Sequence, residues 1–342
     1  MRFRKRRVSV GLDIGSKVVK VVVLSNSGSK SSRPKLLNYA IHDIAKNGDE
    51  SSDAQISALL KQLFSEANID ERDVRSAVSG NSVVVRYVNF KKMTEEDMQS
   101  SIRFEASQYI PFDVKDVELD FSILDEKVPS EPNMMRVLLV AAKKNECKRL
   151  IKVLQSAGLN PTVIDVDSIA LVNSYVHGNG KESESTPIAL VNIGAKKTSV
   201  DIVDNQKPAF TRNVEIGGDS MTAAIAGGMN IEIEEAERMK VFGEEIAHEH
   251  LRTILDSIVR QLRTSFDYYE GLSGKDVSKV YLSGGSAMLR GFSEFLSENL
   301  SMPVELWDPL AEIDTTDFVS DERLKTVRST LDVAVGLALR GD

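Results

Sequence analysis

Two segments of the chain place a carboxylate or an amide before a glycine turn and a lysine, a combination suited to holding phosphate. They start at Asp13 and Asn192 and read DIGSK and NIGAK. Glycine permits a tight turn whose amides can donate to phosphate oxygens. Asp13 is also the candidate catalytic residue and could hold Mg²⁺ through water, because Mg²⁺ prefers carboxylates and keeps several waters. The alternative is an ordinary hairpin turn. The predicted phosphate contacts are Asp13, Gly15, Ser16, Lys17, Asn192, Gly194, Ala195 and Lys196.

Two Gly-Gly pairs follow strand-like runs and lead into helix-like ones, and a helix N-terminus favours anions. Without Cβ atoms, such pairs also let a phosphate or a flat ring lie against the backbone. Between the pairs, Glu237 and Lys240 are three residues apart, so they share a helical face and could grip ribose hydroxyls. A helix start without a ligand and a surface ion pair are the alternatives. The predicted contacts are Gly217, Gly218, Glu237, Lys240, Gly284, Gly285, Ser286 and Met288.

Several other kinds of site find no support in the sequence. Neither glycine pair fits the Walker A pattern, and no H-E-x-x-H motif or nucleophile elbow occurs. His248 and His250 are two apart on a predicted helix, so they point to different sides and cannot share a metal. The formal net charge of −8 makes the chain a poor general binder of nucleic acid.

The strands and the turn that would hold these residues occur twice in the sequence. Alternating apolar residues precede the first glycine turn and a valine-rich run follows it, which predicts a β-hairpin. VGLDIGSKVVKVVV, starting at Val10, matches ALVNIGAKKTSVDI, starting at Ala189, and the offset is 192 − 13 = 179 residues, about half of the 342-residue chain. The polar stretch 178–186 reads as a linker between the halves. The repeat predicts two similar lobes with their hairpins meeting at a cleft; chance likeness of valine-rich hairpins is the alternative.

Residues 84–161 read as an α/β insert in the first half. A helix is predicted from Thr94, which can cap it, to Tyr109, with Pro111 as its stop. Met98, Ile102 and Tyr109 lie on roughly one face of this helix, and Phe112 follows in a turn. These four side chains are predicted to anchor a partner peptide in a groove, as apolar anchors commonly do. Packing inside the insert is the alternative.

Composition favours the cytoplasm. Cys147 is the single cysteine, so an intrachain disulfide is impossible, and no apolar run reaches the length of a membrane span. Five of the first seven residues are basic. They form either a solvated tail or a weak contact with anionic lipid.

Five signals in order resemble the superfamily of actin, the DnaK chaperones and the sugar kinases. They are two phosphate hairpins, a Gly-Gly helix start, Glu-x-x-Lys and Ser-Gly-Gly. Within it, the chain resembles the PilM family of type IV pilus assembly. The segments GLDIGSKVVKVV, EASQYIPFDVKDVELDFSIL, IGGDSMT, YLSGGSAMLRGF and VAVGLALR carry this resemblance.

This resemblance implies an α/β fold that is bilobed and actin-like, a duplicated ribonuclease-H-like architecture with the inserted subdomain of PilM and the division protein FtsA. The expected first-lobe core spans 1–83, completed by 162–180, with the insert at 84–161. The second-lobe core is expected at 181–216 and 274–342, with a helical subdomain at 217–273. ATP and Mg²⁺ are the implied cofactors.

The implied partner is the N-terminal cytoplasmic tail of a PilN-like inner-membrane protein. Membrane contact would then be indirect, with the chain peripheral on the cytoplasmic face. Self-association is possible, and nucleic acid is not an expected partner.

One position departs from many superfamily members, which carry Asp in the second hairpin. Asn192 cannot accept a proton as a general base, and a missing base typically costs about 10²–10⁴ in rate. We therefore expect ATP binding with weak or no hydrolysis. The alternatives are an FtsA-like membrane-associated filament protein and a small-molecule kinase of the same superfamily, although no Asp base for a sugar hydroxyl is identifiable.

Overall fold

The computed structural model describes residues 7–26, 33–44, 52–128, 131–179, 186–242 and 248–340. Residues 1–6, with most of the basic N-terminal cluster, lie outside the described residues, and so do residues 180–185 of the predicted linker. The elements of the first half are β1 (Arg7–Ile14), β2 (Val18–Asn26), β3 (Lys35–Asp43), α1 (Asp53–Glu66), β4 (Asp73–Val78), β5 (Val83–Lys91), α2 (Glu95–Ala106), β6 (Val117–Asp125), β7 (Met134–Lys143), α3 (Lys144–Ser156), β8 (Asn160–Val166) and α4 (Asp167–Asn179).

The second half ends on a short apolar helix. Its elements are β9 (Ile188–Ile193), β10 (Thr198–Asp204), β11 (Lys207–Val214), α5 (Gly218–Met229), α6 (Ile233–Phe242), α7 (His248–Ser273), β12 (Lys279–Ser283), α8 (Phe292–Leu300), β13 (Val304–Leu306), α9 (Glu322–Val327) and α10 (Asp332–Leu339).

Two five-stranded sheets share one topology. Their strand orders are β3-β2-β1-β4-β8 and β11-β10-β9-β12-β13. In each, three antiparallel strands are followed by two parallel ones, since β4 and β8 are parallel to β1, and β12 and β13 to β9. The prediction of a duplicated, bilobed α/β fold is confirmed.

The insert is a small sheet with one helix over it. Its strand order is β5-β7-β6, all antiparallel. Thr94 caps α2 by accepting a hydrogen bond from the Asp97 amide, as the sequence predicts. The α2 residues Met98 and Ile102 are 0% and 5% exposed and pack in the insert's core. These two predicted partner contacts are therefore wrong, because the insert's own strands cover that face of the helix.

Helices α4 and α10 lie between the two large sheets and pack on each other. Leu171 and Tyr175 of α4 pack on the second sheet, whereas Ala334 and Val335 of α10 pack on the first. A Cβ on Gly336 of α10 would lie 1.8 Å from the Ala170 oxygen of α4. Only glycine allows this approach, so the two helices hold the lobes together at close range.

Packing moves two of the predicted domain boundaries. The insert's sheet ends at Lys143, because α3 packs on the core of the first lobe and β8 pairs with β4. The C-terminal part, from about Leu310 through α10, packs on β2 and β3 of the first lobe. The predicted bounds 84–161 and 274–342 are therefore too long, since residues distant in sequence complete the first lobe.

Candidate nucleotide site between the lobes

The two predicted phosphate turns have the same backbone. In the first hairpin the Gly15 amide donates to the Val18 oxygen at 3.0 Å, and in the second the Gly194 amide donates to the Lys197 oxygen at 2.9 Å. The strand register pairs Asp13 with Lys20 in the first hairpin and Asn192 with Ser199 in the second. The duplicated sequence thus folds into duplicated hairpins.

An ion pair joins Asp13 to the neighbouring strand of its own hairpin. Lys20 Nζ lies 3.0 Å from Asp13 Oδ2, and both side chains are largely buried. Burial opposes the charge of this ammonium, but Asp13 and Asp332 outweigh burial and raise the pKa of Lys20. Lys20 therefore stays positively charged beside the residue predicted to hold Mg²⁺ through water.

Asn192 is held by a fully buried carboxylate. Its Nδ2 donates to Asp332 Oδ2 in a short hydrogen bond and to Ser283 Oγ at 3.3 Å. Ser283 Oγ donates to the same Asp332 oxygen at 2.6 Å, and the Val333 amide donates to Asp332 Oδ1 at 2.8 Å. Burial raises the pKa of Asp332, against the lowering effects of Lys20 and these donors.

The second turn docks on the start of α5. Gly218 and Asp219 donate their amides to the Gly194 and Ala195 oxygens at 2.9 and 2.7 Å. A Cβ on Gly217 would lie 2.6 Å from the Ala195 oxygen. The glycine pair therefore lets the helix end meet the hairpin, and the first two amides of the helix already donate to protein oxygens.

Glu237 and Lys240 share one face of α6, as predicted, and fix that face to α5. The Lys240 ammonium, almost fully buried, donates to the Gly218 oxygen at 3.0 Å, to Thr222 Oγ1 at 2.8 Å and to Glu237 Oε2 at 2.8 Å. Burial lowers the pKa of Lys240. Burial would raise the pKa of Glu237, but hydrogen bonds from Lys240 and Thr222 lower it. In this arrangement Lys240 stabilises the helix pair, while the carboxylate of Glu237 is one-third exposed.

Lys17 crosses from the first lobe to the second. Its Nζ lies 2.6 Å from Asp219 Oδ1 and 3.3 Å from Glu237 Oε2. Burial opposes the charge of Lys17, but these two carboxylates together raise its pKa. The first phosphate turn therefore meets both the helix start and the predicted ribose-binding helix.

The two glycines of the second Gly-Gly pair have different surroundings, since one is packed and the other faces open space. Gly284 has φ +91°, and a Cβ there would lie 2.6 Å from the Ile193 oxygen. A Cβ on Gly285 would meet nothing within 4 Å. The predicted adenine contact therefore fits Gly285, whereas Gly284 is needed for packing against the second hairpin.

The rest of this loop also reaches the site. A Cβ on Gly218 would lie 2.1 Å from Ser286 Oγ, so the loop and the start of α5 touch. Met288 is 45% exposed. Ser16 and Lys196 lie exposed on the two turns.

Lys20 and Asp332 belong to the site but were not among the residues predicted from the sequence. Lys20 is a charge inside the valine-rich run VVKVVV, which is a usable signal, since an unpaired buried charge is costly. Asp332 opens the apolar stretch DVAVGLAL, where an acidic first residue also suits an ordinary helix start. Only the fold shows that it faces Asn192.

The described residues supply few side chains that could bind a metal ion directly. Within the described ranges, no three His, Cys, Asp or Glu side chains cluster closely enough to hold a metal ion directly. Mg²⁺ keeps several of its waters, so a single carboxylate such as Asp13 fits the predicted contact through water.

A groove of 1210 Å³ separates the insert from the first lobe. Its walls combine apolar and charged side chains of β6, β7, α3, β8 and α4, and the β10–β11 turn contributes Gln206. The lining includes Glu118, Leu119, Phe121, Leu138, Val140, Cys147, Ile151, Ile164, Asp165, Ile169, Val176, Gln206, Pro208 and Arg340. β6 is an edge strand of the insert's sheet. Of the predicted partner contacts, Tyr109 packs on Phe90, and Phe112 lies under the Lys143 ammonium at 4.8 Å.

The chain is similar to known proteins over almost its whole length. The family model of type IV pilus assembly protein PilM matches residues 11–342. The chain belongs to the PilM family. A solved PilM–PilN type IV pilus biogenesis complex is similar, with a TM-score of 0.86 and 28% identity over 98% of both chains.

Two further relatives place this PilM-family chain among actin-like proteins. Cell division protein FtsA of Streptococcus pneumoniae is 23% identical over 347 residues, covering 87% of the chain and 75% of FtsA. MreB 5 of Spiroplasma citri, solved with AMPPNP, shares the fold with a TM-score of 0.50 and 13% identity, over 96% of this chain and 94% of MreB 5. Among the described residues, none of the helices combines the length and the apolar composition of a membrane span.

Proposed function

We propose that this PilM-family protein binds ATP with Mg²⁺ between its lobes and acts as a cytoplasmic scaffold of the type IV pilus inner-membrane assembly platform. The main support for a nucleotide site is that two hairpin turns, 179 residues apart in the chain, come together. They meet the start of α5, and α6 and the loop at Gly285 lie beside them. The AMPPNP bound to MreB 5 supports the choice of nucleotide.

The residues of this site suit binding better than hydrolysis. Lys17 and Lys20 would supply positive charge for phosphates, and Asp13 would accept hydrogen bonds from magnesium-bound water. The position of Asn192 holds no base, and both oxygens of Asp332 already accept hydrogen bonds. We infer slow or undetectable hydrolysis by the isolated protein, well below about 1 s⁻¹.

Calorimetric titration with MgATP tests the site through two glycines that both have open space. Gly285→Leu should abolish or strongly weaken binding, because the side chain would fill the adenine side. Gly227→Leu, on α5, is the matched control, since a Cβ there also meets nothing within 4 Å. Equal ATP affinity in Gly285→Leu and Gly227→Leu would contradict the proposed nucleotide site.

We further propose that the groove between the insert and the first lobe binds the N-terminal tail of a PilN-like inner-membrane protein. Three observations support this. A similar protein was solved in complex with PilN, apolar residues form the majority of the groove lining, and β6 presents a sheet edge to which an extended peptide can add a strand. Such a partner would hold the protein on the cytoplasmic face of the inner membrane.

Cys147 reports on this groove because it is the single cysteine and lies in the groove wall. Burial and the charge of Glu118 raise the pKa of its thiol, so maleimide labelling is best done at mildly alkaline pH. A synthetic PilN tail should slow the labelling of Cys147. In the matched control, C147S/F104C, the thiol replaces a side chain that is 75% exposed on α2 and should label at one rate with or without the tail. Tail binding that leaves Cys147 labelling unchanged would place the peptide elsewhere.

A further inference from the structure

Asn192 and Asp332 form a polar contact between the lobes that none of the nucleotide-binding motifs predicts. Asn192 is the next-to-last residue of β9 in the second lobe, whereas Asp332 is the first residue of α10, which packs on the first lobe. They are 140 positions apart in the chain. Asp332 also faces Lys20 of the first lobe, so this one carboxylate meets a cation of one lobe and two polar groups of the other.

The hydrogen bonds fix which end of the Asn192 amide faces the carboxylate. Ser283 Oγ donates to Oδ2 of Asp332 and the Val333 amide donates to Oδ1, so both oxygens act as acceptors. The amide of Asn192 therefore presents its Nδ2 donor, which also donates to Ser283 Oγ. The atom left for a ligand is Oδ1, which is an acceptor like the carboxylate oxygens of Asp13.

We propose that Asp332 is a positioning residue: by holding Nδ2 of Asn192, it turns Oδ1 toward the cleft and ties the second phosphate hairpin to the first lobe. This inference rests on the proposed nucleotide site. It also gives a reason for the amide at this position. An Asp at 192 would put two carboxylates against each other with one buried lysine beside them, and one of the two would lose its charge.

Exchanging the two side chains tests the pairing. Asn192→Asp alone should lower the midpoint of thermal unfolding without nucleotide and weaken MgATP binding about tenfold or more, the scale of one charge-assisted hydrogen bond. In the exchanged variant N192D/D332N, the amide at 332 can donate to the carboxylate at 192 and accept from the Val333 amide. It should regain the unfolding midpoint, and its affinity should return to within about threefold of the natural protein.

Asp332→Ala should weaken MgATP binding about tenfold, and Val335→Ala is its control in the same helix. Val335 is fully buried and packs on the first lobe, so its truncation lowers stability without touching Asn192. Affinity should be unchanged in Val335→Ala. If Asp332→Ala does not fold, Asp332→Asn and the exchanged variant decide the question.

The outcomes separate this inference from the proposed site. Asn192→Asp with natural stability and affinity, or an exchanged variant no better than either single variant, would overturn the positioning role. Equal loss of affinity in Val335→Ala and Asp332→Ala would do the same, because Asp332 would then act only through stability. Absence of MgATP binding by the natural protein would overturn the nucleotide site, while the unfolding midpoints without nucleotide would still test the contact.

Discussion

The two hairpins have the same backbone hydrogen bonding, but their paired side chains differ in charge. Their turn hydrogen bonds differ by 0.1 Å, and each places two side chains side by side at equivalent positions of its register. In the first hairpin these are Asp13 and Lys20, a buried ion pair. In the second they are Asn192 and Ser199, which carry no charge. The carboxylate beside Asn192 comes instead from Asp332, on a helix of the other lobe.

The two large sheets also differ in what packs against them. The turn of the first sheet faces the second lobe through Lys17, which contacts Asp219 and Glu237. The second sheet contacts the insert through its edge strand β11, where Tyr87 OH lies 2.9 Å from Thr211 Oγ1 and Arg136 donates to the Ala209 oxygen at 3.1 Å. A duplicated fold therefore repeats its hydrogen-bonded frame, while each copy acquires its side-chain partners from what packs against it.

The largest difference between the hairpins is expected from Lys20→Met. The variant leaves Asp13 and Asp332 without their shared cation, and breaking a buried ion pair typically costs about 3–5 kcal/mol in the free energy of unfolding. The equivalent change in the second hairpin, Ser199→Ala, should cost only about 1 kcal/mol, the net worth of one hydrogen bond. Urea unfolding measures both, and equal losses would contradict the contrast between them.

The loop after β12 is expected to show the next largest effect, because Gly284 touches the second hairpin and Gly285 does not. Gly284→Ala forces φ +91° on a residue with a Cβ that meets the Ile193 oxygen. Such backbone strain costs about 1–3 kcal/mol. Gly285→Ala should change stability by less than about 0.5 kcal/mol. Thermal unfolding of the two variants compares them directly, and a larger loss in Gly285→Ala would reverse the assignment.

Asp201, on β10 of the second hairpin, should make the free energy of unfolding depend on pH. Burial raises the pKa of Asp201, which accepts a hydrogen bond from Ser199, from 3.8 to about 7. Lys197 lowers this pKa and Asp167 raises it. The unfolded chain therefore loses the proton near pH 4, whereas the folded protein keeps it to about pH 7. This group makes the free energy of unfolding fall as pH rises between those values, and it adds no slope above them.

Asp201→Asn removes the proton exchange at that position. The stability of the natural protein relative to this variant should decrease from pH 5 to pH 7.5, as followed by thermal unfolding. Parallel curves for the two proteins would show that Asp201 titrates alike in the folded and unfolded states.

The smallest effect is expected from the two turn lysines. Lys17→Gln removes an ion pair that is about one-third exposed, so the free energy of unfolding should fall by at most about 1 kcal/mol. The loss should shrink in 1 M salt, where charges are screened within about 3 Å. Lys196→Gln, at the equivalent and exposed position of the second turn, should change stability less. Urea unfolding at low and high salt distinguishes them, and a salt-independent loss in Lys17→Gln would argue against a charge effect.

Features that depend on neighbours along the chain could be predicted from the residues alone. The glycine turns, the valine-rich strands and the cap at Thr94 are local patterns, and each follows from backbone geometry within a few residues. The two hairpins and α2 could therefore be predicted from the residues, and the repeat 179 residues apart, together with the family resemblance, indicated the bilobed fold.

Which of these residues come into contact depends on how the lobes pack. The fate of Met98 and Ile102 depended on whether the insert's strands would cover them, because a helical face looks the same whether a partner or the protein itself buries it. The role of Gly284 depended on the Ile193 oxygen, and that of Asp332 on Asn192, 140 positions away. Contacts at such separations leave no periodic trace in the chain, since they are set by how two lobes and the helices between them pack.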